Sequence, residues 1–200
     1  MWLWLAVLAL AYLLGSIPMG VLVVRWMRGI DVRQVGSGRT GGTNVMRAAG
    51  WKAALLCGIG DIGKAALAVL IAQLAGAPAW VMALAGSLAV VGHNYPIFLR
   101  SKGGAGTAPS IGAAAVLWPW VGLALAPILL LVVFITRRAS LGSIVVALLI
   151  PAAFLARALH GFGPWDYLIY GVLTSALTLW ALRPNIERLL QGAERRIEII

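Results

Sequence analysis

Residues 1–24 read MWLWLAVLALAYLLGSIPMGVLVV, and residues 25–52 follow with RWMRGIDVRQVGSGRTGGTNVMRAAGWK. The first run holds no charged side chain and is apolar continuously, not at every second position. A run of this length and pattern is a helix crossing hydrocarbon, since a barrel strand would alternate. The second run carries Arg25, Arg28, Arg33, Arg39, Arg47 and Lys52 against Asp31 alone. Cations clustered beside a membrane helix mark the cytoplasmic side. Together the two runs predict an all-α polytopic membrane protein whose basic loops gather on one face.

The rest of the chain agrees. Of 200 residues, 62% are hydrophobic and 11% charged, more apolar surface than one soluble core could hide. A net charge of +10 would suggest nucleic acid in a soluble protein, but here the cations lie between apolar runs, so no nucleic-acid partner is expected. The N-terminus has no basic leader and no cleavage-site pattern, which reads as a retained first helix. Cys57 stands alone in an apolar run and is expected to be a small buried hydrophobe. With one cysteine, neither a disulfide framework nor a cysteine metal site is expected within the chain.

The first span is expected from Trp2 to about Val24 and the second from about Ala53 to Leu74. A charge-free turn at Ala77-Pro78 follows, and a third span returns from about Trp80 to Leu99, where Arg100 and Lys102 mark the basic side again. Residues 107–136 are apolar throughout and end at Arg137-Arg138. One crossing would put these arginines on the far face. Trp118-Pro119-Trp120 predicts a break instead, because Pro ends a helix and Trp favours the interface. The expectation is two short crossings, the fourth and fifth, with a re-entrant hairpin as the alternative. Spans from about Leu141 to Ala158 and from about Asp166 to Arg183 bring the expected count to seven. That odd count places the N-terminus outside and the tail, with Arg188, Arg195 and Arg196, in the cytoplasm, the whole chain 1–200 forming one integral-membrane domain. Only Arg157 falls near the outer face. Lys64 lies inside a span, three residues from Asp61, and the two are expected to pair.

Two loops have the composition of a phosphate site. Gly36-Ser37-Gly38-Arg39-Thr40-Gly41-Gly42-Thr43-Asn44, followed by Arg47, combines close backbone approach, hydroxyls and two guanidinium groups. A polar loop whose arginines touch lipid headgroups is the plainer alternative. Lys102-Gly103-Gly104-Ala105-Gly106-Thr107 opens directly into an apolar helix, whose N-terminus attracts anions. It lacks the Walker spacing, which argues against nucleotide hydrolysis. Two anion loops on one face favour lipid-phosphate chemistry. Five residues after His93 stands Phe98, so the His-x-x-x-x-Asp pair of one acyltransferase class is missing, and no Ser–His–carboxylate set or carboxylate pair is evident. Any reaction must therefore draw on an activated substrate.

These segments are similar to the bacterial acyl-phosphate:glycerol-3-phosphate acyltransferase family. The resemblance runs through Gly15-Ser16-Ile17-Pro18, Gly36-Ser37-Gly38, Thr43-Asn44-Val45 with Arg47, Gly92-His93, Tyr95-Pro96, Phe98 with Lys102-Gly103-Gly104, Ser140-Leu141, Ser143-Ile144, Asn185-Ile186, Arg188-Leu189-Leu190, Gly192 and Glu194. It implies transfer of an acyl group from acyl phosphate to glycerol 3-phosphate, giving lysophosphatidic acid and phosphate. It also implies a multi-pass protein of the bacterial inner membrane with its active face cytoplasmic, and no need for CoA, acyl carrier protein, metal or other cofactor. By the resemblance Ser37, Arg47, Lys102, Ser143 and Asn185 are the catalytic candidates, and Gly38, Arg39, Thr43, Asn44, His93, Gly103, Gly104 and Gly106 the substrate-binding ones. His93 is an alternative base or a hydrogen-bonding residue at a helix end.

The chain departs from the family pattern at Ala105 (usually Lys), Arg39 (usually Asn), Gly42 (usually Ala), Leu182 (often His) and Pro109. Arg39 is expected to supply the cation missing at Ala105. Two other functions stay open at this point: a divergent paralogue that binds phospholipid precursors without turnover, and a transporter, which the nearly charge-free spans disfavour.

Overall fold

The computed structural model describes residues 1–99 and 103–197, and among them all regular structure is helical. The order is α1 (Trp2–Ser16), α2 (Met19–Arg28), α3 (Gly42–Leu74), α4 (Ala79–Asn94), α5 (Thr107–Leu117), α6 (Pro119–Thr136), α7 (Ala139–Leu159) and α8 (Asp166–Leu190). A single 3₁₀ turn, Val32–Gln34, lies in the first loop.

Prolines set two of the boundaries. The ring of Pro18 keeps Ile17 out of the helical region (φ −59°, ψ 117°), so the apolar run 1–24 bends instead of forming one rod. The break between α5 and α6 falls where the sequence predicted it. α5 ends at Leu117, and Pro119 is the first residue of α6, where its missing N–H costs nothing.

The expected count of seven spans does not hold. Among the described residues four helices are long and apolar enough to cross a membrane by length and composition: Trp2–Arg28 taken through its bend, Gly42–Leu74, Pro119–Thr136 and Ala139–Leu159. Ala79–Asn94 and Thr107–Leu117 are shorter apolar helices. At about 1.5 Å per residue these two reach about 24 and 16 Å, less than a bilayer of about 30 Å. Of the crossings expected to be short, the fourth is short and the fifth, α6, is not. α8 is long, but tyrosines, buried threonines and Arg183 dilute its apolar character. The orientation of the two termini, argued from an odd count, loses that support. The chain remains an all-α polytopic membrane protein.

Small residues let the helices close on one another. Gly92 of α4 lies against the backbone of α1 at Tyr12 and Ser16, and Gly112 of α5 against Ile62 of α3. Such contacts replace the hydrophobic drive that lipid removes. A side chain at Gly112 would overlap the Ile62 carbonyl, and backbone cannot yield as a flexible side chain would. Gly112→Val is therefore expected to cost about 1–3 kcal/mol, read as a lowered thermal midpoint in detergent.

Arg157 holds the end of the bundle remote from the glycine loops. Its guanidinium donates to the carbonyls of Phe162 (2.9 Å) and Leu117 (3.0 Å) and lies over the rings of Trp118 and Tyr167. It thereby satisfies an orphan carbonyl at the C-terminus of α5.

Candidate active site

The first glycine loop is built around one side chain. Asn44, 2% exposed in the first turn of α3, shares its amide protons among the carbonyls of Val32 (3.0 Å), Val35 (2.9 Å) and Arg39 (2.9 Å). Its oxygen accepts the Ser37 N–H at 3.0 Å. Asn44 is thus committed to shaping the loop. Ser37 is left exposed, Gly38 turns the backbone with φ 70°, and Thr43 is half-buried in the helix start. Arg47, also exposed, runs past Gly36.

The second loop rests on the C-terminus of α4. Gly103 N–H donates to the Asn94 carbonyl (3.0 Å) and Gly104 N–H to that of His93 (3.2 Å). The His93 ring turns Nε2 toward Gly104 so closely that a Cβ there would overlap the imidazole. Gly106 lies against Asn94 and Thr178 and opens α5. Lys102 lies outside the described residues.

Below His93 is a buried ionic cluster. Lys64 Nζ is 2.9 Å from Asp61 Oδ1, the expected pair, and His93 Nδ1 is 3.2 Å from the same oxygen. Lys64 also donates to the Ile17 carbonyl at 2.7 Å, the group that the Pro18 break withdrew from its helix. The proline break, the ion pair and the glycine loop thus form one connected support. Buried charges persist only when paired and hydrogen-bonded, which holds the three elements in register.

The two loops meet. Gly41 approaches Gly104, with a Cβ position 3.8 Å from the Gly104 Cα. Beside them is a cleft of about 50 Å³ lined by Arg39, Asn94, Tyr95, Gly104, Trp180, Ala181, Arg183 and Pro184. Arg39 reaches across it to donate to the Ala181 carbonyl, and the Arg183 guanidinium stacks on Trp180 at 4.0 Å. Burial, then the nearby Arg188 charge, pull the Arg39 pKa below its ordinary value, while Glu194 opposes them. Arginine keeps its proton under such shifts. Glu194 is already held by Arg188, so the cleft carries positive charge in excess, the condition for taking an anion.

Glu194 clamps the tail onto the same end. It accepts from Ser140 (2.8 Å), Asn185 (2.7 Å) and Arg188 (2.9 Å). Asn185 therefore spends its amide on this clamp, and Ser143, half-buried one turn beyond Ser140, is not part of it. Burial pushes the Glu194 carboxyl up, but these three donors outweigh it and hold the pKa below the usual carboxylate range. A depressed folded-state value stabilises above the ordinary glutamate pKa and is lost as pH falls through the lowered one. Protection of the amides at residues 193–197 from hydrogen exchange, relative to their intrinsic rates at each pH, should accordingly fall on acidification. Glu194→Gln should lower that protection at neutral pH and flatten its pH dependence.

Of the residues expected from the sequence, Arg39 and Gly104 line this cleft together. Arg183, Trp180 and Asn94, which the sequence did not single out, line it too. Among the described residues no group of three His, Cys, Asp or Glu side chains is placed to hold a metal.

Known proteins are similar to this chain over nearly its whole length. The family model for glycerol-3-phosphate acyltransferase matches residues 5–192. The glycerol-3-phosphate acyltransferase of Synechococcus sp. (strain CC9902) is 45% identical over 194 residues, 96% of this chain and 94% of that one. That of Rubrobacter xylanophilus is 46% identical over 187 residues, 94% and 92% of the two. The crystal structure of PlsY, an integral membrane glycerol 3-phosphate acyltransferase, in its glycerol 3-phosphate form superposes with a TM-score of 0.87 at 36% identity, covering 98% of this chain and 96% of that one. Its lysophosphatidic acid form gives 0.86 at 35%. With the family match spanning nearly the whole chain, and the glycine loops and ionic support in place, the chain belongs to the bacterial PlsY family of membrane-integral acyl-phosphate:glycerol-3-phosphate acyltransferases.

Proposed function

We infer that this chain transfers an acyl group from acyl phosphate to glycerol 3-phosphate at the cleft between the two glycine loops. The observation that carries the site assignment is the pairing of Arg39 and Arg183 beside the Gly104 backbone, in a cleft whose described lining holds no carboxylate. A substrate phosphate is the anion that fits. The Asn94 side-chain oxygen, buried without a hydrogen-bond partner among the described residues, accepts a substrate hydroxyl.

Acyl phosphate is a mixed anhydride, so the enzyme needs no nucleophile of its own. A glycerol hydroxyl oxygen attacks the acyl carbon, the bond from that carbon to the phosphate oxygen breaks, and the hydroxyl proton leaves on the released phosphate. Lysophosphatidic acid and inorganic phosphate result. Ser37, Arg47 and Lys102 flank the phosphates, with Gly38, Thr43, Gly103 and Gly106 giving the backbone its approach. Positioning and charge stabilisation supply the acceleration. His93 serves by holding Gly104, Asn44 by shaping its loop, and Asn185 by fixing the tail; Ser143 is assigned to the donor side of the site.

The protein is a multi-pass protein of the bacterial inner membrane. The reacting face is cytoplasmic, because Arg25 to Lys52, Arg137, Arg138, Arg188, Arg195 and Arg196 all belong to segments around this end. Purified protein in lipid, given palmitoyl phosphate and labelled glycerol 3-phosphate, should form labelled lysophosphatidic acid, and palmitoyl-CoA should not replace the donor. Binding of both substrates without product would overturn the reading.

A further inference from the structure

α3 is not one rod. At Gly50 the backbone leaves the helical region (φ 84°, ψ 180°), and Gly42 folds back until its Cβ position is 3.7 Å from the Ala54 carbonyl. In a straight helix these residues would lie about 18 Å apart. The elbow leaves a notch of about 340 Å³ between its vertex and the end of α2, lined by Met27, Arg28, Ala49, Gly50, Trp51 and Lys52.

The notch is polarised. Arg28 and Lys52 stand at its rim, and among the described residues neither has a carboxylate partner. Trp51, Leu55 and Ile59 follow it down α3 at four-residue spacing, each more than half exposed, so they form one apolar stripe on one helix face. Trp26, 80% exposed beside Arg25, and Trp51 mark the depth as the membrane interface. Two cations above an apolar track match an amphiphile with an anionic head; a soluble phosphate would leave the track unused. The notch is lined by none of the cleft residues.

We propose that this notch binds an anionic phospholipid of the surrounding bilayer, its phosphate between Arg28 and Lys52 and one acyl chain along Trp51, Leu55 and Ile59. The site holds lipid independently of acyl transfer, and binding is measured without substrates.

The test is native mass spectrometry of the full chain released from bilayers of phosphatidylcholine and phosphatidylglycerol in equal parts. Wild type should retain phosphatidylglycerol preferentially. Arg28→Gln with Lys52→Gln should weaken that retention by about 10- to 30-fold, two interfacial cations being removed. Arg195→Gln with Arg196→Gln, which removes the same charge elsewhere on this face, should leave it intact. Equal retention of the two lipids by wild type would overturn the proposal, whatever the variants do. So would unchanged retention by the notch variant, or equal loss in the control pair, which would mean diffuse surface charge. Acyl transfer in phosphatidylcholine alone should be unchanged in the notch variant and reports that it has folded. Arg28→Lys with Lys52→Arg, which keeps both charges, should keep the preference, and its loss there would also count against the site.

Discussion

Arg39→Ala is expected to lower kcat/KM for glycerol 3-phosphate by about 10²- to 10³-fold, the usual loss when one preorganised donor is taken from an anion in a water-poor site. Arg39 is half-buried, oriented by the Ala181 carbonyl and set beside Gly104, so it meets substrate without reorganising. Arg39→Lys should fall between, because a point charge cannot reproduce the guanidinium fork. Ala105 adjoins Gly104 in the chain, where family members usually carry lysine. In the Arg39→Ala background, Ala105→Lys should recover part of the rate. Initial rates at varied concentrations of both substrates check this. An Arg39→Ala enzyme with wild-type rates, and no gain from Ala105→Lys in either background, would remove the cleft from the phosphate site.

Asp61→Asn should destabilise the fold by about 3–5 kcal/mol, because it leaves the Lys64 ammonium buried without its counter-ion. The damage should spread along identified contacts. Lys64 holds the Ile17 carbonyl, and His93, which loses its carboxylate partner, supports Gly104. Folded yield and thermal midpoint in detergent measure the first effect. Adding Lys64→Met should restore part of the stability, since removing both charges costs less than removing one. Activity should not return with it, as His93 would still lack Asp61.

Some of this architecture was legible in the sequence. The Trp118-Pro119 break, the basic clustering and the Asp61–Lys64 pair each follow from local chemistry: a missing N–H, a charge bias, a three-residue helical spacing. The span count failed because α4 stops at Asn94 and α5 at Leu117, short of a bilayer, and polar residues dilute α8; two bends were missed as well. Val21 to Val24 continue the hydrophobic run past Pro18, which hid that break, and a lone glycine at 50 gave no sign of an elbow. Asn44 was read as facing substrate because its composition suits a phosphate loop equally well. Only geometry shows its amide turned onto Val32, Val35 and Arg39. Arg183 and Asn94 went unnoticed because the cleft joins segments far apart in the chain, Arg39 and Ala181 being 142 residues apart. No local pattern records such a contact. Glu194 was noticed only through family resemblance. Its three partners lie on α7 and α8, which gives a physical reason for a carboxylate in an otherwise basic tail.

Direct transfer is tested most sharply by phosphate release from palmitoyl phosphate, followed on the purified protein in lipid with and without glycerol 3-phosphate. The geometry predicts one phosphate released for each lysophosphatidic acid formed, no release without the acceptor, and no acyl label left on the protein. A stoichiometric burst of phosphate without acceptor, with the acyl group retained on the chain, would contradict it.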